Sequence, residues 1–242
     1  AGQKALLRSQ ALSLTGKYNL SNSGFGLVAG VRQLTIKRST LNINPAQGDL
    51  VTTPDSGIGY MAGVSYEMPE IALKVLLTQA PGIDIVVPTT VVGSGTVSQP
   101  SFTTLEFETG IANNTLMFGS IHQGEHASAQ VKLNGIGAIS SFTDGEKYNI
   151  GVGRKFSEKL SGSFSYTTEE GSSATGTSLL SPTNGTDTYS IGVNYVTESV
   201  DVAFGYAMSS FGDKAVTTAY GTGNFTNNDA TTTGLRVKFK LP

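Results

Sequence analysis

Residues 187–210 read DTYSIGVNYVTESVDVAFGYAMSS, and their strict alternation decides the fold. Every second residue in 189–195 and in 202–208 is aromatic or aliphatic, and the residues between them are small or polar. Side chains two apart on a strand share a face, so the pattern predicts two strands, each with one apolar face. Only a short turn at Glu198-Ser199 separates them, which predicts a tight antiparallel hairpin.

The same alternation recurs along the chain and predicts eleven strands. They are 5–20, 25–43, 57–68, 70–87, 101–112, 115–131, 146–156, 160–168, 187–197, 200–210 and 231–241. Pro81 predicts a bulge, an edge or an early end in the fourth strand, because proline cannot donate to a sheet ladder. Gly124 indicates a similar break in the sixth strand.

The connections between these strands alternate between short and long. The short ones are tight turns at Asn22-Ser23, Met68-Pro69, Asn113-Asn114, Ser157-Glu158 and Glu198-Ser199. The long ones are polar and rich in Gly, Thr, Ser and Asn, around 44–56, 88–100, 132–146, 169–187 and 212–230. Tight turns at one rim and long loops at the other are typical of bacterial outer-membrane barrels. A soluble β-sandwich mixes its loop lengths more freely, and it is the third alternative here.

Composition supports the barrel and excludes several other classes. Charged residues make up 14% of the 242 residues, against about 25% in soluble domains. No run reaches the roughly 18 apolar residues of a membrane helix. The net charge of −2 gives no nucleic-acid footprint, and the absence of cysteine removes disulfide and thiolate chemistry. We therefore predict an all-β, antiparallel transmembrane β-barrel in the bacterial outer membrane.

Several segments resemble the FadL/TodX type of outer-membrane transporter for hydrophobic compounds, and the likeness is closest to alphaproteobacterial versions. They are SGIGYMAGVSYEMP at 56–69, GIANNTLMFGS at 110–120, YNIGVGRKFS at 148–157 and SPTNG at 181–185, followed by the last three strands. The resemblance implies passive uptake of long-chain fatty acids or hydrocarbons. It also implies a fourteen-stranded barrel with an N-terminal hatch, of which 1–242 would be a single domain carrying strands four to fourteen.

The strand count leads to the same expectation without the resemblance. Bacterial single-chain barrels have even strand numbers, and eleven strands leave the wall incomplete. We therefore expect a gap beside residues 5–20, or another segment filling it. The last residues, Lys240-Leu241-Pro242, depart from the aromatic ending that outer-membrane barrels usually carry.

Six polar residues are candidates for binding a ligand from the lumen. They are Arg32, Lys155, Asn194, Asp201, Arg236 and Lys238. Together with Lys240, the cations could form an electropositive lining that attracts a carboxylate head group. The alternative, which we favour, is that they pair with lumen acids such as Asp201 or with a plug.

Neither enzymatic chemistry nor a cofactor is expected. His122 and His126 flank Glu125, but four residues on a strand span roughly 13 Å, too far for two ligands of one metal. No nucleophile elbow or paired-carboxylate arrangement accompanies them. The expected partners are a hydrophobic ligand and membrane lipid, with no nucleic acid. The alternative function is a structural or interaction barrel whose long loops bind a partner protein or phage.

Overall fold

The computed structural model describes residues 4–21, 23–42, 48–173, 175–178, 180, 183–218 and 221–239. Within them, eleven strands form one sheet in chain order, and every neighbouring pair is antiparallel. These wall strands are β1 (Ser9–Asn19), β2 (Phe25–Ile36), β3 (Asp55–Met68), β4 (Leu73–Ala80), β5 (Phe102–Ala112), β6 (Thr115–Gly124), β7 (Gly145–Lys155), β8 (Leu160–Glu169), β9 (Thr186–Val196), β10 (Val200–Phe211) and β11 (Asn228–Phe239). The predicted all-β antiparallel fold is confirmed.

The long connections are folded as well, and they form three small sheets. One contains Lys4–Leu6, Thr40–Asn42 and Leu50–Val51, and another contains Thr175–Gly176, Lys214–Thr218 and Gly221–Phe225. The four-stranded one, which we call the loop sheet, contains Ile83–Thr89, Gly93–Gln99, Lys132–Leu133 and Gly137–Ala138.

Four predicted wall strands were therefore too long at their long-loop ends. The predictions 5–20, 25–43, 70–87 and 115–131 each include residues that lie outside the wall. The wall ends at Ala80 before Pro81 and at Gly124, the two breaks that the sequence indicated. Residues 83–87 were wrongly predicted to lie in the wall because a strand of the loop sheet alternates with the same period of two as a wall strand.

Four of the predicted tight turns, at Met68-Pro69, Asn113-Asn114, Ser157-Glu158 and Glu198-Ser199, lie where the sequence predicted them. Thr197 N–H donates to the carbonyl of Val200 (2.7 Å) and closes the hairpin at Glu198-Ser199. Asn114 has φ 59°, a left-handed conformation that asparagine tolerates. A short 3-10 helix, Pro69–Ile71, follows Met68. Of the remaining predictions, Asn22 and the terminal residues 240–242 lie outside the described residues.

The two faces of the wall differ in composition. Six residues predicted to face outward are 44–74% exposed: Phe164, Tyr195, Phe204, Leu235, Val237 and Phe239. On the opposite face, one row across five strands consists of Gly153, Ser163, Gly192, Gly205 and Gly234. An apolar outer face over a small and polar inner face is the arrangement of a membrane barrel.

The buried core lies between the wall and the loop sheet. Its residues are Ile36 from the wall and Ile83, Ile85, Val87, Val97 and Val131 from the loop connections. A Cβ atom at Gly57 would lie 2.6 Å from Ile83 Cγ2, so the loop strand approaches the backbone of β3 closely. The face that carries Gly57 and Ile36 is therefore the lumen face, and the loop sheet folds into the long-loop mouth.

The sheet has two free edges in the part of the chain that the structure describes. β1 and β11 stand at its two ends and do not pair with each other. Nearly all of their side chains are exposed, on both faces of the sheet. The expected gap beside residues 5–20 is thus present among these residues. No described helix is long and apolar enough to cross a membrane.

Candidate functional site

Four of the six predicted site residues converge at the tight-turn end of the lumen. Asp201 lies directly opposite Lys238, and its Oδ1 is 4.0 Å from Arg236 Nη2. With its amide oriented to satisfy its neighbours, Asn194 donates to Asp201 Oδ1 at 2.7 Å. The carboxylate of Asp201 therefore lies beside one cation and accepts a hydrogen bond from Asn194. It neutralises part of the positive lining.

Lys155 belongs to the same end of the lumen. Its cross-strand row runs through Ser161 to Asn194 and on to Arg236. Lys155 and Asn194 both line a cavity of about 700 Å³ at this end, with walls of small residues such as Gly192. A cavity of this size falls within the range of small-molecule sites.

Arg32 lies apart from the other five. It stands on β2 between Ser13 and Gly59, in the half of the lumen that the loop sheet covers. Its Nε donates to Ser13 Oγ at 3.1 Å. The structure thus brings five of the six candidates to one end and leaves Arg32 near the other. Lys240 lies outside the described residues.

A ladder of alternating charges crosses the lumen face of the first five strands, and sequence reasoning missed it. Lys17 pairs with Glu67, and Lys74 Nζ lies 2.6 Å from Glu108 Oε1. Glu67, Lys74 and Glu108 are direct cross-strand neighbours, whereas Lys17 reaches over β2 at Gly26. A Cβ at Gly26 would lie 3.0 Å from Lys17 Cε. The sequence does contain a sign of this ladder, because residues of opposite charge stand at the tight-turn ends of successive strands.

The two histidines pack on one aromatic ring. The ring centroids of His122 and His126 lie 4.8 and 5.8 Å from that of Phe102. His122 Nδ1 is hydrogen-bonded to Thr104 Oγ1 at 2.8 Å. Among the described residues, no group of three or more His, Cys, Asp or Glu is placed to hold a metal ion.

An apolar cleft lies at the long-loop end, between the loop sheet and the small sheet of Lys4–Leu6, Thr40–Asn42 and Leu50–Val51. It has a free volume of about 40 Å³, and aliphatic side chains dominate its lining. The aliphatic residues of the lining include Leu6, Leu41, Leu50, Val97, Leu133 and Leu180. No sequence pattern predicts this cleft, because its walls come from the N-terminal segment and four separate connections.

Comparison with solved structures identifies the architecture. A FadL homologue of Pseudomonas aeruginosa superimposes with a TM-score of 0.69 over 96% of this chain and 67% of that chain, at 13% identity. The monoaromatic hydrocarbon channel CymD gives 0.62 over 98% and 77%, at 12% identity. The toluene transporter TodX of Pseudomonas putida gives 0.61 over 96% and 68%, also at 12% identity.

The chain has the FadL-type barrel fold. No family model matches the sequence, and no curated protein matches it either. At 12–13% identity the likeness establishes the FadL-type architecture alone. The chain spans 67–77% of the length of these FadL-type chains.

Proposed function

We propose that this protein is a bacterial outer-membrane barrel through which hydrophobic small molecules pass, such as long-chain fatty acids or hydrocarbons. The observation that carries the proposal is the apolar cleft at the long-loop end of the FadL-type wall. Long loops of such barrels face the cell exterior. An apolar ligand arriving from outside would therefore meet this cleft first.

The proposed route uses the two ends of the lumen differently. Transfer of a ligand from water into the cleft contributes about 25 cal/mol per Å² of apolar surface. The cleft holds only about 40 Å³ in its present form, so entry requires the small sheets to separate. Beyond them, the cavity of about 700 Å³ is lined by glycine and serine together with apolar side chains such as Leu116. Its larger volume leaves a ligand fewer close contacts than the cleft does, which favours release and passive flow.

The lumen cations would act on the polar end of an amphipathic ligand. Lys155 and Lys238 form no ion pair among the described residues, whereas Arg236 shares Asp201 with its neighbours. We assign to Lys155 and Lys238 the attraction of a carboxylate at the tight-turn end. Arg32, near the long-loop mouth, would attract the carboxylate at an earlier point of the route. A hydrocarbon without a head group would not use these residues.

The alternative function, a barrel whose loops bind a protein or a phage, is less well supported. A collapsed lumen beneath a broad loop surface would have favoured it. The wall instead encloses an open cavity, and its loops form an apolar cleft. We therefore retain transport as the proposed function.

We also propose that further chain completes the wall between β1 and β11. A sheet edge exposed to lipid leaves backbone N–H and C=O groups unpaired, at several kcal/mol each. Both edges of this sheet are free among the described residues. Three additional strands would give the even number of a closed barrel.

An uptake assay tests the transport proposal. Leu50 is half-buried and lines the cleft, whereas Val91 is 58% exposed in a neighbouring turn and does not. In cells that lack their own fatty-acid transporter, we expect Leu50→Asn to reduce uptake by the full natural protein, because a polar group weakens apolar binding. The matched control Val91→Asn should leave uptake unchanged.

Two ligands distinguish fatty acids from hydrocarbons as substrates. Oleate and toluene are supplied in parallel, and the amount of folded protein in the membrane is measured for each variant. A loss of uptake for either ligand in Leu50→Asn supports passage through the cleft. Equal uptake of both ligands by wild type, Leu50→Asn and cells without the barrel would contradict the proposed function.

A further inference from the structure

A cluster of three cations stands at the long-loop rim of the first two wall strands. It consists of Arg8, Lys37 and Arg38, all exposed, and we call it the basic rim cluster. Lys37 N–H donates to the carbonyl of Arg8 at 2.8 Å, so these two residues lie opposite each other just beyond the pair Ser9 and Ile36. Ile36 faces the lumen core, and alternation therefore directs Arg8 and Lys37 outward.

The cluster lies at the level where the apolar outer surface ends. Along β1 the outward residues change from Tyr18, Leu14 and Leu12 to Gln10 and then Arg8. Ten residues from Tyr18 to Arg8 span roughly 33 Å of strand. With a tilt of about 40°, this corresponds to a height of roughly 25 Å, the thickness of a barrel's apolar band. Arg8 is thus placed at the height of lipid head groups.

Buried hydrogen bonds fix the backbone beneath these cations. Ser39 is only 4% exposed, and its Oγ accepts from Arg8 N–H (3.0 Å) and donates to the carbonyl of Lys37 (2.9 Å). Thr52 Oγ1 accepts from Ser39 N–H at 2.9 Å. The bend that carries the three cations is therefore held in place before any ligand arrives.

Three acidic side chains of the same rim, unlike the cations, accept hydrogen bonds from other residues of the protein. Glu125 accepts a hydrogen bond from Ser101, Glu146 accepts from Gln123 and Tyr148, and Asp144 accepts from a backbone N–H. By contrast, the basic rim cluster forms no ion pair in the described part of the chain. The positive charge of the cluster is therefore available to an anion from outside the protein.

We propose that the basic rim cluster binds the phosphate groups of lipid head groups in the outer leaflet. The outward direction of Arg8 and Lys37, the membrane depth of Arg8 and the absence of an ion pair at the described cations of the cluster together select an anionic group carried by a lipid. Phosphate suits arginine in particular, since its oxygens accept paired N–H donors. The inference requires the membrane-barrel fold but not the proposed transport function.

Lipid binding by the purified full natural protein in detergent tests the proposal. Native mass spectrometry measures the fraction bound to diphosphoryl lipid A and to the same lipid after dephosphorylation. We expect the triple variant Arg8→Gln, Lys37→Gln and Arg38→Gln to lower the affinity for diphosphoryl lipid A at least roughly tenfold. The control Lys159→Gln, an exposed lysine at the tight-turn rim, should bind as wild type does.

The two lipids and added salt make the result decisive even if the triple variant does not fold. Wild type should prefer the phosphorylated lipid, and this preference should shrink as salt rises, because exposed charges are screened. Equal binding of the two lipids, equal binding by a folded triple variant, or displacement by inorganic phosphate at the same phosphate concentration would each overturn the proposal.

Discussion

At the scale of single residues, adjacent positions on one strand have opposite surroundings. Val237 faces outward from β11 and is 44% exposed, whereas Lys238 faces the lumen opposite Asp201. Substitutions at these neighbours therefore test the assignment of faces directly, because a strand alternates its sides at every residue.

We predict that Val237→Arg disturbs membrane insertion more than Lys238→Ala does. A cation near mid-membrane on the lipid face costs roughly 2–4 kcal/mol, whereas lumen changes mainly tune selectivity. The measurement is the yield of heat-modifiable folded protein in the outer membrane. Equal yields for the two variants would contradict the lipid-facing assignment.

At the scale of elements, the loop sheet is held against the wall by close approach to glycine. Gly57 on β3 leaves room for Ile83 and Ile85, which are 5% and 2% exposed. The wall strands themselves are joined by continuous ladders that do not involve this contact. The loop sheet should therefore be separable from the wall by a change at one residue.

We predict that Gly57→Val undocks the loop sheet and leaves the wall folded. Its Cβ would lie 2.6 Å from Ile83 Cγ2 and 3.0 Å from Ile85 Cγ1, and overpacking of this kind costs roughly 1–3 kcal/mol. Amide hydrogen exchange across residues 83–89 should accelerate roughly tenfold, with heat-modifiability retained. Gly16→Val is the control, because a Cβ there meets nothing within 4 Å. Unchanged exchange in Gly57→Val would show that the sheet is held elsewhere.

At the scale of the whole molecule, the described wall is a sheet with two ends that do not pair with each other. An odd antiparallel set brings its first and last strands together in parallel, which is unusual among bacterial barrels. The free edges of β1 and β11 agree with a wall that these residues do not close alone.

We predict that residues 1–242 refolded in detergent give no sealed, heat-resistant barrel, whereas a longer natural polypeptide does. Unpaired edge groups in lipid are costly, so the isolated sheet should aggregate or remain open. Gel mobility before and after heating distinguishes the two states. A sealed barrel formed by 1–242, with β1 paired to β11, would refute the proposal of a completing segment.

Local sequence patterns are enough to predict the wall. Alternation in residues such as 189–195 and 202–208, with tight turns between strands, predicts the number of wall strands and which residues face outward. This works because a period of two is a local property of an extended chain. It also placed Asn194, Asp201, Arg236 and Lys238 on one face, since adjacent strands of a hairpin share their register.

The position of the loop strands and the pairing of the charges follow from tertiary packing. Residues 83–89 alternate like a wall strand, and nothing local distinguishes a place in the wall from a place in the loop sheet. The cleft around Leu50 and the reach of Lys17 over Gly26 to Glu67 join residues that are far apart in the chain. Such contacts depend on how separate segments pack in space, which local periodicity does not encode.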